Sequence, residues 1–259
     1  MLKELYTAAA GMMPQQLKLE TTTNNIANAG TVGFKRQAIF KRALDEAEIQ
    51  QYHNPGKPEI FDKSTGSYTD FVSGSFQETF NNLDIAINNK KGFFSVQDDK
   101  GKQFYTRAGN FTLSTEGNIT TAEGKKLMGD SGPLTINKSS LDPLHLEDSK
   151  RLDIMITDRG DIFINHQLIG SVMVTEIENP ETLKRETNSD FSKSDETKTS
   201  AIPPENISVK QGWLENSNVD IVAEMVQMIE LQRLFELGSK VIHTNNETID
   251  QSLKIGKIY

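Results

Sequence analysis

The sequence predicts an α+β fold, with N- and C-terminal helices forming a coiled-coil-like layer and a central all-β domain built of short antiparallel hairpins. Three observations predict it. Both chain ends carry apolar residues at alternating four- and three-residue steps, the spacing of a helical seam. The stretch from Gly74 to Gly129 is punctuated by glycine-bearing turn signals between short apolar runs, the pattern of antiparallel strands. Asn179 to Glu205 is polar, charged and bordered by proline, and reads as an exposed return path. The expected division is a helix and following motif at 1–37, a connector at 38–73, a β domain at 74–178, a return segment at 179–217 and a heptad helix at 218–259.

In the first helix the seam runs Leu5, Ala9, Met12, Gln16, Leu19, Thr23 and Ile26. Pro14 costs about 3 kcal/mol in a helix interior, so it either kinks this helix or forms its effective first turn. Asn24, Asn25 and Asn28 are poor helix formers and Gly30 and Gly33 are turn residues, so the helix is expected to end near Asn28. From Ala38 to Asp70 the pattern is weak. Ile39-Phe40 and Leu44 extend a helix or a strand, and His53-Asn-Pro-Gly-Lys-Pro58 is a turn or extended connector.

The β domain is expected to use Leu83–Ile87, Phe93–Val96, Phe104-Tyr105, Phe111–Leu113 and Leu127-Met128 as strands, separated by Asp98–Gly101, Ala108-Gly109, Thr115–Asn118 and Ala122–Lys125. Asn88-Asn-Lys-Lys91 reads as a hairpin tip, since Asn tolerates the left-handed conformation. A second section adds Leu134–Ile136, Ile154–Ile156, Ile162–Ile164 and Leu168–Val174. Asp158-Arg-Gly-Asp161 is its hairpin turn, and glycine there is what the turn requires, so the Arg-Gly-Asp tripeptide needs no adhesive role.

The last helix has the longest seam: Ile221, Met225, Met228, Gln232, Phe235, Ser239, Ile242, Asn246, Ile249 and Leu253. Ser217-Asn218 offers N-cap oxygens. A second stripe, Val222, Val226 and Ile229, asks for more than one partner. Gln16, Thr23, Gln232, Ser239 and Asn246 interrupt the seams, where a buried polar side chain penalises wrong registers. The residues expected to carry assembly are Leu5, Met12, Leu19, Ile26, Ile221, Met225, Met228, Ile229, Phe235, Ile242, Ile249 and Leu253. An intramolecular helical hairpin is the alternative reading of the same seams.

Composition narrows the function. A net charge of -8 and a pI near 5.1 argue against nucleic-acid binding, which needs dense Lys and Arg to displace phosphate counterions. No apolar run is long enough to span a bilayer, so no direct membrane insertion is expected, and the first residues show no cleavable signal pattern. The absence of cysteine excludes thiolate chemistry and Cys-ligated zinc. His53, His145, His166 and His243 lack metal-ligand spacing, and there is no Gly-x-Ser-x-Gly or phosphate-binding glycine loop. No catalytic residue, cofactor or metal site is expected.

Several motifs resemble one family. Asn24-Asn-Ile-Ala-Asn28 with Gly33-Phe-Lys-Arg36 is similar to the N-terminal signature of the flagellar rod and hook axial proteins. Gly74–Thr79, Leu83–Ile87, Gly92–Val96 and Tyr105-Thr-Arg-Ala-Gly-Asn-Phe111 resemble its central motifs in order, and Leu214–Asp220 with Glu224–Arg233 its C-terminal signature. At Asn88–Lys91 the chain departs from the shorter, glycine-centred connection usual there. The resemblance implies a basal-body rod subunit, most like the proximal rod type, since Gly129–Ile136 and Arg233–Ile242 look closer to that type than to the distal one. It implies a non-enzymatic protein that polymerises into a torque-transmitting shaft in the cell envelope. Its partners would be itself, other rod and hook axial proteins and the flagellar type III export apparatus, with no cleaved signal peptide. A distal rod or other axial subunit is the nearest alternative; a secreted β-domain interaction protein or an uncharacterised hydrolase is the alternative of another class.

Overall fold

A computed structural model describes residues 2–41, 65–136, 154–195 and 197–256. Along the chain, one long helix is followed by mostly short strands and then by a second long helix, an α+β architecture. The chain divides into two compact units: Met1–Ala27 with Arg36–Asp70 and Val219–Tyr259, and Asn28–Lys35 with Phe71–Asn218.

The first unit holds helices α1 (Leu2–Ala27) and α2 (Ile221–Gly256) and strands β1 (Gln37–Lys41) and β2 (Thr65–Thr69). α1 runs through Pro14, so this proline is an interior residue and not a first turn. The helix stops at Ala27, where the asparagine-rich motif predicts its end. α2 is capped by Asp220 and not by Ser217-Asn218: Asp220 Oδ1 accepts the Val222 and Ala223 amides at 3.0 and 3.2 Å. Asn218 instead donates its amide to Val72 O at 3.0 Å, within the other unit. Asp220→Ala is expected to cost about 1 kcal/mol. Reduced helicity in circular dichroism, with hydrogen exchange accelerated over the first turn of α2, checks it.

α1 and α2 pack along their lengths. They run antiparallel, because Met12 lies against Gly238 while Thr22 and Asn25 share a cleft with Glu224 and Gln227. A Cβ at Gly238 would sit 3.2 Å from the Met12 side chain, so the glycine permits this approach. β1 pairs antiparallel with β2, from Gln37 opposite Thr69 to Lys41 opposite Thr65. Of the expected connector, 42–64 lies outside the described residues.

The second unit is built on β5 (Gly92–Gln97). One edge of β5 pairs with β6 (Gln103–Thr106); the other is shared, β14 (Val174–Ile177) taking Gly92–Phe94 and β9 (Lys126–Gly129) taking Val96-Gln97. With both edges paired and both faces covered, β5 is buried from Gly92 to Val96, Ser95 included, instead of alternating. Phe94 and Val96 enter the main core with Ile85, Phe111, Leu127, Ile162 and Val209, while Phe93 joins Tyr105, Ile177, Leu183 and Phe191 in a second cluster. β7 (Thr112-Leu113), β8 (Ile119-Thr120) and β10 (Gly132-Pro133) extend the β9 side. β11 (Ile154–Ile156), β12 (Asp161–Ile164) and β13 (Gln167–Ser171) form a separate three-stranded sheet, with the turn at Asp158–Gly160 as expected.

Two expectations are corrected. Asn88–Lys91 is not a hairpin tip, because β4 (Ile85–Ile87) pairs with β18 (Val209–Gln211) and not with β5. The polar stretch after Asn179 is not simply an exposed loop. It supplies β15 (Lys184-Arg185) and β16 (Asp190–Ser192), which extend the large sheet beside β6, and β17 (Thr199–Ala201), which pairs with β14. Downstream, β19 (Trp213–Glu215) pairs with β3 (Phe76–Glu78).

Candidate assembly site

Within the β unit, three distant segments meet at one carboxylate. Glu215 ends β19 and is 1% exposed. Its Oε1 accepts Lys35 Nζ at 2.5 Å and the Gly74 amide at 3.0 Å, and its Oε2 lies 3.4 Å from an Arg107 guanidinium nitrogen. Lys35 is 0% exposed and also donates to Val72 O at 2.9 Å. Arg107, at 2%, donates to the carbonyls of Asn89 and Lys90 and stacks on Phe93 at 5.0 Å. Burial pushes its guanidinium below the usual range, and Glu215 opposes that shift.

Gly33 explains how Lys35 reaches this point. Its φ is +68°, its amide donates to Glu215 O at 2.8 Å, and a Cβ there would collide with the Ala108 amide. Gly33-Phe-Lys, Tyr105-Thr-Arg-Ala and Leu214-Glu thus form one clasp, and Arg107 holds the Asn88–Lys91 connection through its carbonyls. Asp84 is buried, accepting from Thr79 Oγ1 at 2.7 Å and Asn81 Nδ2 at 2.9 Å.

In the helical unit, Asn25 exchanges two hydrogen bonds with the backbone of Gln37, at 2.8 and 3.0 Å, tying α1 to β1. Arg36 Nε donates to Glu224 Oε1 at 2.5 Å. These charged residues were not singled out from the sequence. The available signal is that each charge sits inside one of the recognised motifs.

Within the single chain, the two helices meet along positions beside the expected seams. Along α2 the inward positions are Glu224, Met228, Leu231, Gly238, Ile242 and Asn245; Gln232, Ser239 and Asn246 are exposed. On α1, Gln15, Thr22 and Asn25 turn inward and Gln16 and Thr23 outward, with Thr23 Oγ1 bonded to Leu19 O. The polar residues expected as buried register keys therefore face solvent in the single chain. Met12, Leu19, Ile26, Met228 and Ile242 are half-buried. Ile221, Met225, Ile229 and Phe235 are exposed, beside Val222, Val226, Leu234, Leu237 and Val241. The side chains of Leu5, Ile249 and Leu253 lie outside the described residues.

A further charged group sits between β8 and β9. Lys125 Nζ bonds Asp190 Oδ2 and lies 4.5 Å over the Phe104 ring, with Glu123 Oε2 at 3.8 Å. Burial first, then the Asp190 charge, raises the Glu123 carboxyl. A carboxyl raised on folding holds more protons in the native state. Stability therefore falls as pH rises from the ordinary Glu value through the raised one. Glu123→Gln should flatten that fall, seen as a melting temperature less dependent on pH across this interval.

Sequence models for "Flagella basal body rod protein", "Flagellar hook protein FlgE/F/G D1 domain" and "Flagellar basal body rod FlgEFG protein C-terminal" match residues 5–35, 86–164 and 210–255. Each match contains one arm of the Glu215 clasp. A flagellar basal-body rod protein FlgG from Agrobacterium fabrum is 32% identical, the alignment covering 95% of this chain and 96% of the relative. This chain belongs to the flagellar rod and hook axial family. A flagellar hook-basal body complex protein, FlhO from Bacillus subtilis, is 30% identical over 100% of both chains, and a basal-body rod protein FlgF from Caulobacter vibrioides is 29% identical over 98% of both. As an axial family member, the chain is a structural subunit of the flagellar basal body and not an enzyme.

Proposed function

We propose that this chain is a rod subunit of the proximal type, which polymerises through its terminal helices into a helical shaft that transmits torque across the cell envelope. The observation that carries the reading is the outer face of α2. From Ile221 to Val241 it presents nine exposed large apolar side chains that α1 does not cover. Large apolar side chains exposed in this number along one helix mark a contact surface. Covering it with the terminal helices of neighbouring subunits, in a coiled-coil-like layer, buries Ile221, Met225, Ile229 and Phe235 and satisfies both stripes of the heptad pattern. A repeated head-to-tail contact that does not close generates a helical polymer.

The other partners in this reading are the neighbouring rod and hook axial proteins and the type III export apparatus. Support for the proximal position comes from Gly129–Ile136 and Arg233–Ile242, whereas relatives named FlgF and FlgG both align along nearly the whole chain. Complementation tests the position. Motility should return in a strain lacking its own proximal rod subunit and not in one lacking the distal subunit; the reverse result would assign the distal position.

A further inference from the structure

Glu224 is 2% exposed, yet only one of its carboxylate oxygens has a donor. Oε1 takes Arg36 Nε, while Oε2 is buried with no hydrogen-bond partner. An unfilled buried carboxylate oxygen carries a desolvation cost that a donor would relieve. Beside it lies a cleft of about 120 Å³, lined by Lys18, Thr21, Thr22, Asn25, Gln37 and Gln227 in addition to the ion pair itself. Ala38 and Ile39 complete its lining, and most of the wall is polar, so it suits a compact group with several N–H donors better than an apolar one.

The complementary group is on the same helix. Arg233 is the one cation in α2 before Lys240, it is exposed, and it forms no ion pair among the described residues although Glu230 and Glu236 flank it by a turn. It lies one turn from both Ile229 and Leu237, on the exposed face that the proposed assembly covers. A guanidinium enclosed in an apolar contact needs a carboxylate, and its planar fork fits one. Glu224 and Arg233 are separated by about 13 Å along the helix axis, too far to meet within one chain.

We propose that the Glu224 cleft is a socket for the Arg233 guanidinium of a second copy of this chain. The charge pair then sets the axial stagger of neighbouring α2 helices at about 13 Å where they run in the same direction. This rests on the assembly reading above, deepening it from an apolar face to one register-setting contact.

The test is a double-mutant cycle on self-association of the full chain, followed by sedimentation velocity. Glu224→Gln and Arg233→Gln should each weaken association about tenfold or more, and the double variant should be no weaker than either single one. Arg233→Lys, which keeps charge without the fork, should fall between. Effects that multiply in the double variant, or an Arg233→Gln that associates normally, overturn the socket; the second outcome leaves only water or another protein's donor for the cleft. A wild-type chain that stays monomeric at hundreds of micromolar overturns the choice of a second copy as partner. If Glu224→Gln loses helicity, the exposed Arg233 series alone decides, with Arg233→Glu expected to be the weakest. Phe235→Asp separates this inference from its premise. If it abolishes association while both charge variants are neutral, the socket falls and the helical assembly stands; if it too is neutral, the assembly reading falls.

Discussion

Glu215→Ala is expected to remove about 3–5 kcal/mol from the β unit, the largest single-residue effect in the chain. The reason is what it leaves behind. Lys35 and Arg107 are both buried, and without the carboxylate two positive charges remain where water cannot reach them. The Gly74 amide loses its acceptor as well. Glu215→Gln keeps one acceptor oxygen and should cost less, because the loss is then of charge and not of every partner. Trp213, the chain's single tryptophan, lies two positions from Glu215 on the same strand and reports the unfolding directly. Urea denaturation followed by its fluorescence measures the change. The exposed Lys102–Glu186 pair is the control, since Lys102→Ala there should have no measurable effect. A loss at Glu215→Ala as small as the control's would mean that the clasp contributes nothing to stability.

The second large effect is on assembly. With Phe235 38% exposed in the single chain, Phe235→Asp should lower the melting temperature by only a few degrees while abolishing polymerisation and motility. An aspartate at the centre of an apolar contact leaves a charge without a partner in every copy. Met228→Asp differs because Met228 is half-buried on the inward face of α2, so it should lower helix stability and assembly together. Electron microscopy of polymers and swarming assays read assembly; far-ultraviolet circular dichroism reads the fold. Normal polymers from Phe235→Asp would show that the exposed face of α2 is not the contact surface.

The sequence by itself determined the α+β class, the end of α1 at the asparagine motif and the turns at Asp98–Gly101 and Asp158–Gly160. Each depends on chemistry within a few residues: glycine at positive φ and asparagine outside a helix. The heptad spacing of α2 was equally legible, because periodicity is a local property. Its orientation was not. A helical period states which residues share a face, and α1 decided that Leu231 and Gly238, instead of Gln232 and Ser239, face the partner helix within this chain. The same limit hid the pairing of β4 with β18, the strands drawn from the polar stretch after Asn179, and the Glu215 clasp. In the clasp, Lys35, Arg107 and Glu215 are each ordinary surface charges as sequence symbols, and their burial exists only because the fold brings segments far apart in the chain to one point. Tertiary structure alone decided which charges lost their water, since desolvation depends on what surrounds a side chain in space and on no property of its neighbours in sequence.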